Sequence, residues 1–511
     1  MKRLVVARRI SQSFFLCLFV YVLWSTTYPL TGVISAQALF KADPLIMLAT
    51  IVSERIILPG AVWMLAMAGL TIVFGRFFCG WMCPLGTLID LAGSQRKNRH
   101  VSDAANARLR TAKYWILGSI LIAAVGGIQA AWLFDPVVIF GRFVSLNLIP
   151  AVTFLLDTGL AAMIRAFDLY GPVYDLYRSL KNTILGVQAR YVANAAAVFA
   201  HVLAIVIAAD LLKRSWCRAV CPLGALYGLM SRFALLERSV TTCTHCKKCA
   251  ADCRMGAIRA DAGYVKSECI LCMDCVYDCP SHGTRFGFRR RRAVSVDSAG
   301  ISRRQFLVLG ALSLTSLFGF RVVYPDRPQT GRRRVIRPPA SLEEKDFLDR
   351  CVRCGNCMKV CVTNGLQPAF LEAGISGIWT PHLVPEIGYC EYHCTLCGNV
   401  CPTGAIPRLT EEQKLKTRLG IARIDRSLCL PWKKKQECIV CEEHCPTARK
   451  AIQLRAVVVD GRELLRPYIN EHLCIGCGIC QAKCPVRPER AVRVYPVKVT
   501  HGAAKEGEHE K

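Results

Sequence analysis

Twenty-four of the 29 cysteines in this 511-residue chain fall into six groups of four, and no other feature limits its possible folds so sharply. Two groups adjoin: Cys243, Cys246, Cys249, Cys253 and Cys269, Cys272, Cys275, Cys279, each spaced C-x2-C-x2-C-x3-C. Four more occupy the last third: Cys351, Cys354, Cys357, Cys361; Cys390, Cys394, Cys397, Cys401; Cys429, Cys438, Cys441, Cys445; and Cys474, Cys477, Cys480, Cys484. Three closely spaced thiolates can hold one face of a [4Fe–4S] cube, and in the two-cluster pattern the fourth cysteine of each group ligates the other cluster. Cys279 is therefore expected to complete the first cluster and Cys253 the second. The last sixteen thiols allow four more, about six [4Fe–4S] clusters in all, with a nested exchange expected: first group with fourth, second with third. A chain this long and apolar does not suit a small disulfide scaffold. Cys390, Cys394 and Cys397 also have the spacing of a radical S-adenosylmethionine motif, but the cysteines around them leave no room for that family's barrel.

Apolar residues make up 53% of the chain and the formal charge is +29. Apolar runs at about 11–33, 57–78, 114–134 and 191–212 each approach the roughly 20 residues that a helix needs to cross a bilayer. Residues 148–166 are apolar too, but Asp157 and Arg165 interrupt them, so a surface or re-entrant helix is expected there. Basic residues cluster at the N-terminus (Lys2, Arg3, Arg8, Arg9), after the second run (Arg96, Lys97, Arg99, Arg108, Arg110, Lys113) and after the fourth (Lys213, Arg214, Arg218). The loops at 34–56 and 135–190 are nearly balanced, so the positive-inside rule puts both ends of a four-span bundle in the cytoplasm. The arginines flank apolar segments and accompany no finger, zipper or RNA-binding signature, so no nucleic-acid partner is expected.

Five cysteines remain. Cys79 and Cys83 in "FCGWMCPLG", and Cys217 and Cys221 in "WCRAVCPLG", form two C-x-x-x-C-P pairs just past the second and fourth runs. Four-residue spacing puts both thiols of a pair on one helical face. The near-repeat implies two equivalent halves whose thiols could converge as redox or metal ligands, or could simply shape the membrane exit. Cys17 is expected to be a small buried apolar residue. His201 is the only histidine in the spans, and neither C-x-x-C-H nor a dinucleotide fingerprint occurs, so no haem and no flavin are expected.

These features divide the chain into a four-helix transmembrane domain (1–238), a two-cluster domain (239–288), a twin-arginine signal or anchor segment (301–320), a basic linker (321–340), a four-cluster domain (341–500) and a polar tail (501–511). The fold class is a polytopic α-helical membrane domain with α+β ferredoxin-like domains. The internal signal "SRRQFL" (302–307) precedes a short apolar core and no small-residue cleavage pattern, so an uncleaved crossing is expected.

On these motifs, residues 1–290 resemble the NapH/MauN type of membrane quinol dehydrogenase, and residues 301–500 resemble the NapG/MauM type of exported ferredoxin. The resemblance implies a fusion of the two, whose joint preserves the second partner's export signal. It also implies a function in the bacterial inner membrane: menaquinol or ubiquinol is oxidised, and clusters pass the electrons to a periplasmic reductase or cytochrome c. The N-terminus and first ferredoxin domain would face the cytoplasm, and the last domain the periplasm. Two alternatives share these motifs: a membrane-bound copper reductase or assembly factor, and an electron-transfer subunit with no substrate of its own.

Overall fold

The computed structural model describes residues 2–28, 30, 32, 34–93, 103–168, 170–181, 191–259, 261–288 and 335–497. The twin-arginine segment, most of the basic linker and the tail lie outside the described residues. Two compact units divide the chain: Met1–Ser25, Gly32–Val144 and Ala196–Asp326 form one, and Thr26–Thr31, Ser145–Ala195 and Arg327–Lys511 the other.

Local chemistry sets the helix boundaries of the first unit. Asp43 caps Pro44–Glu54 and Asp135 caps Pro136–Phe143, each carboxylate accepting two backbone N–H bonds ahead of a proline whose missing donor costs nothing there. Ala61–Phe74 stops at Gly75, and Asp103–Val125 ends before Gly127; both glycines adopt positive φ, at 79° and 81°. Lys2–Ser25 buries a single stripe of Arg8, Gln12, Phe19, Val22 and Leu23. Cys17 falls on the opposite side of that helix and is exposed, correcting the expectation that it is buried.

Among the described residues, two helical runs are long and apolar enough to cross a bilayer, Arg3–Ser25 and Pro136–Ala166. Pro44–Glu54, Ala61–Phe74 and Ala195–Ala209 are apolar but shorter. The expected runs at 57–78 and 114–134 are cut short by the glycines just named. Residues 148–166 do not form a separate surface helix; they continue from Pro136 through a wide turn at Val144–Leu148. Asp157 does not interrupt them because Lys181 pairs with it at 3.2 Å and the Tyr177 hydroxyl donates to it at 2.7 Å. Large apolar side chains point outward along several of these helices, including Val62, Trp63 and Leu65, Phe154 and Leu155, and Phe199, Leu203 and Ile207. Surfaces bathed only in water rarely carry apolar patches of this kind, and lipid accepts them.

Within the same unit, β1 (Leu236–Val240) pairs antiparallel with β2 (Thr284–Phe288), closing the two-cluster domain at its ends. Buried charge seats this domain on the helices. Glu268, 1% exposed, receives Arg76 at 3.1 Å, the Lys113 ammonium and the Tyr114 hydroxyl at 3.1 Å. Arg8 donates to the Cys272 carbonyl at 2.6 Å and to Asp274 at 2.8 Å. Gly80 lies so close that a Cβ there would stand 2.1 Å from the Ile270 carbonyl oxygen.

The second unit is assembled from short ladders. β3 (Leu366–Pro368) pairs with β4 (Pro381–Leu383), and β5 (Gly420–Ile424) with β8 (Val492–Pro496). β6 (Ile452–Val459) and β7 (Arg462–Ile469) form a hairpin whose turn, Asp460-Gly461, has positive φ at both residues. The four-cluster domain packs against the segments that precede it in this unit. Lys359 donates to the Thr26 carbonyl and Asn364 to the Tyr191 carbonyl, both at 2.7 Å.

Removing one partner from a buried ion pair leaves the other desolvated and uncompensated, at about 3–5 kcal/mol. Glu268→Ala is therefore expected to destabilise the first unit by that amount, measured by denaturant titration in detergent. An unchanged midpoint would show that Arg76 and Lys113 do not depend on Glu268.

Candidate iron–sulfur sites

Cys243, Cys246, Cys249 and Cys279 line one cavity of the two-cluster domain, and Cys253, Cys269, Cys272 and Cys275 line a second. In each, three thiols come from one group and the fourth from the other. In the four-cluster domain, Cys361 joins Cys390, Cys394 and Cys397 around a third cavity. Cys401 lies within electrostatic reach of Cys351, Cys354 and Cys357; Cys484 of Cys429 and Cys441; and Cys445 of Cys477 and Cys480. The exchange is therefore consecutive, first group with second and third with fourth, which corrects the nested order expected from sequence. The reason is local: each neighbouring pair of groups closes on itself as a small two-cluster unit, as residues 239–288 do.

The backbone around these thiols is strained in a repeated way. In the four loops spaced C-x2-C-x2-C, the residues two and four places after the first cysteine have positive φ: His245 and Lys247, Leu271 and Met273, Arg353 and Gly355, Gly476 and Gly478. Left-handed conformations cost non-glycine residues roughly 1–2 kcal/mol each, and such strain persists where a function requires it. A loop curled this way can turn its thiols and amides toward one enclosed group. Amides also approach the sulfurs, with Ala257 N–H donating to Cys253 Sγ at 3.2 Å and Ala422 N–H to Cys474 Sγ at 3.4 Å. Burial pushes the Cys269 thiol up to about 11 and Cys275 to about 12. The Ser281 hydroxyl at 3.4 Å holds exposed-side Cys279 down at about 7. Buried thiols stay protonated until a metal displaces the proton. Donor type, grouping and loop shape all fit [4Fe–4S] clusters, with the cysteines above as the residues that would hold them.

Cluster positions have an order. Cys243 and Cys246 are exposed, so the first site opens to solvent, whereas Cys253, Cys269, Cys272 and Cys275 face the helices. In the four-cluster domain, Gly355 lies against Ser145 and Leu146, beside the Cys351 site. The Cys390 site continues to the Cys474 site through a 2.8 Å bond from Cys390 N–H to the Cys477 carbonyl. The site of Cys429, Cys438, Cys441 and Cys484 comes last.

Cys79, Cys83, Cys217 and Cys221 are all buried and line one further cavity, so the two C-x-x-x-C-P pairs do converge. Sequence reading did not reach what surrounds them. Asp43 and Asp135, both buried, interact through their carboxyls, and each starts an Asp-Pro helix, a second repeat visible in "KADPL" and "LFDPV". Tyr227, buried and with no hydrogen-bond partner for its hydroxyl among the described residues, lies within electrostatic reach of both aspartates and of Cys79 and Cys83. His201 packs edge-on against Trp216 at 6.3 Å, the contact of a packed aromatic residue.

Residues 56–101, 194–240 and 397–421 match one family model described as a 4Fe-4S binding domain, and residues 467–488 match another of the same description. The methylamine utilization ferredoxin-type protein MauM of Methylorubrum extorquens is 34% identical over 202 residues, 38% of this chain and 89% of that protein. The ferredoxin-type protein NapG of Escherichia coli is 32% identical over 207 residues, 39% of this chain and 88% of that protein. NapF of the same organism, also a ferredoxin-type protein, is 33% identical over 162 residues, 31% of this chain and 87% of that protein. No solved structure matches the chain.

Consecutive exchange sets an expectation for double variants. Cys361→Ala and Cys397→Ala should each remove one cluster's iron, and the double variant should lose no more than either alone, read as iron and acid-labile sulfide per chain. Cys397→Ala combined with Cys445→Ala should lose twice as much, whereas nested exchange would reverse the two results.

Proposed function

We propose, from the premise that this chain belongs to the ferredoxin-type family of MauM and NapG, that it is a membrane-bound iron–sulfur electron carrier fed by quinol. Electrons from menaquinol or ubiquinol would enter through residues 1–238 and leave through the clusters toward a periplasmic reductase or a cytochrome c. Each cluster accepts one electron at a time, which suits a donor that yields two.

One observation carries this reading. Both C-x-x-x-C-P segments grip the inner cluster site of the two-cluster domain. Trp81, between Cys79 and Cys83, donates to the Leu271 carbonyl at 2.9 Å. Arg218, between Cys217 and Cys221, donates to the Cys253 carbonyl at 3.1 Å and to the Arg254 carbonyl at 2.7 Å. A ferredoxin held by its ligand loops on an apolar helical domain is placed to exchange electrons with whatever that domain oxidises. Quinol must also lose protons, and Asp43 with Asp135 supplies a buried pair of carboxyl groups as candidate acceptors.

Charge distribution supports a location in the bacterial inner membrane. The two-cluster domain contacts Arg8, Arg76, Lys113 and Arg218, at segment ends that the positive-inside rule assigns to the cytoplasm. The four-cluster domain follows the twin-arginine segment Ser302–Leu307 along the chain, in keeping with a periplasmic position.

The test uses the full chain in liposomes, with cluster reduction followed as bleaching of visible absorption and by EPR. A short-chain quinol should reduce the clusters, and Asp43→Asn with Asp135→Asn should slow that step by about 10²-fold while dithionite still reduces them fully. Clusters that take electrons from dithionite but never from quinol would overturn the quinol reading. Full quinol rates in the double variant would remove the aspartates from it.

A further inference from the structure

We propose that the segment between Cys429 and Cys438 is a docking surface, through which the last cluster site gives single electrons to a protein acceptor with an acidic face. The inference rests on the reading above that electrons leave the chain through its clusters. It adds where they leave and what kind of surface receives them.

The sequence marks the place. In the other five groups two or three residues separate the first two cysteines, whereas here eight do, "LPWKKKQE". Ligation does not require the added length, because the shorter spacing brings such thiols around one site elsewhere in the chain. The insert carries a tryptophan, three consecutive lysines and a single glutamate. It begins at a ligand: Cys429 stands at the cap position of the helical turn Leu430–Lys433, and Trp432 packs on a buried cluster of Cys429, Cys484 and Ala491. Trp432 is half-buried, so its ring reaches from two thiols of the last site toward the surface.

Cations then gather around that ring. Arg426 lies over the indole at 4.2 Å and Arg466 at 4.7 Å. Tyr468 meets the same indole edge-on at 5.4 Å and carries Arg455 at 4.7 Å. Arg455 belongs to β6, and Arg466 and Tyr468 to β7, so these contacts tie the hairpin to the insert. Lys435 ties them again by pairing with Asp460 at the hairpin turn. A cation–π contact positions a guanidinium without neutralising it.

The resulting face is basic and open. Arg426, Lys433, Lys434 and Arg455 are exposed. Asp425 lies within electrostatic reach of Lys433, but Arg426, Lys434, Arg455 and Arg466 form no ion pair among the described residues. Like charges collected on one face repel one another, and an approaching acidic surface relieves that repulsion while steering the encounter. Exposed Ile439, next to Cys438, adds an apolar contact to the aromatic and arginine groups that protein interfaces favour. Compensating the charge of the site itself does not call for an insert, since the other five sites are built without one. The step is one electron from the reduced site to the one-electron centre of the acceptor, with no bond made or broken and no proton moved.

The experiment follows reoxidation of dithionite-reduced clusters in the full-length protein by stopped flow, after the reductant has been removed. One probe is mitochondrial cytochrome c, which is basic, and the other is the same protein succinylated on its lysines, which is acidic. The acidic probe should oxidise the wild type faster, at a rate that falls as salt rises. Lys433→Glu with Lys434→Glu should slow the acidic probe by about tenfold and speed the basic one, at unchanged iron per chain. The same change of charge at exposed Lys345 and Lys416 should leave both rates near those of the wild type. Should the reversed pair lose iron, Lys433→Gln with Lys434→Gln gives the same test at half the change in charge.

Unchanged rates in the Lys433 and Lys434 variants would overturn the proposal. Equal slowing of both probes would do so as well, because the lysines would then act on the cluster's potential alone, and so would equal effects from the control pair. Protection of Lys433 and Lys434 from amine-reactive labelling in liposomes of phosphatidylglycerol, but not of phosphatidylcholine, would assign the face to the bilayer surface instead. Dithionite supplies the electrons here, so clusters that quinol never reduces would sink the quinol reading and leave this one to be decided by the two probes.

Discussion

Iron–thiolate bonding is the constraint on which the ferredoxin parts depend, because little else could organise them. Their sheets are two-stranded and most of their helices span only four to seven residues, lengths that are marginal alone. In place of a large apolar core, their buried side chains include Cys351, Cys354, Cys357, Cys429, Cys441, Cys474, Cys477, Cys480 and Cys484. A thiol pushed up by burial is an inert small hydrophobe without iron and a strong ligand with it. Metal binding and folding are then one equilibrium, and the left-handed residues of the cluster loops draw on its free energy.

That constraint also explains much of the chain's charge. A cluster with its thiolates is an anion inside a desolvated site, and fixed cations nearby offset part of its cost. Arg238 approaches Cys249 Sγ at 3.8 Å, and Arg353 sits within the first ligand loop of the four-cluster domain. Part of the excess of 66 basic over 37 acidic residues therefore lies beside the cluster sites. Counting charges along the sequence could not separate that part from the charges that flank the apolar runs.

Ligand identity was legible because spacing encodes it: three thiols at two-residue intervals leave few other uses. Partner exchange was not, since it depends on which loops close on one another, and the spacing within each group is the same whichever group supplies the fourth thiol. The helices were legible by hydropathy but not in extent. Gly75 and Gly127 end two runs that composition would prolong, and Lys181 neutralises the Asp157 that seemed to interrupt a third. Arg214 was visible as a charge after the fourth apolar run, and Arg76 lies inside the second, so neither pointed to the backbone carbonyls they reach. Extending the near-repeat by three residues in each direction would have found them; the paired Asp-Pro helix starts at 43–44 and 135–136 are a separate repeat.

Duplication and its exceptions together give the first unit its direction. Thiols, arginines, cap glycines and Asp-Pro starts each occur twice, so the cavity between the two thiol motifs is lined alike from both sides. The position after the first cysteine breaks that symmetry: Gly80 in one motif, Arg218 in the other. The glycine lets the backbone close on Ile270, and the arginine reaches the Cys253 and Arg254 carbonyls. Both departures from the repeat meet the same ferredoxin site. A repeated pair of thiol motifs is thereby given a single neighbour, the inner ferredoxin site against which both are held.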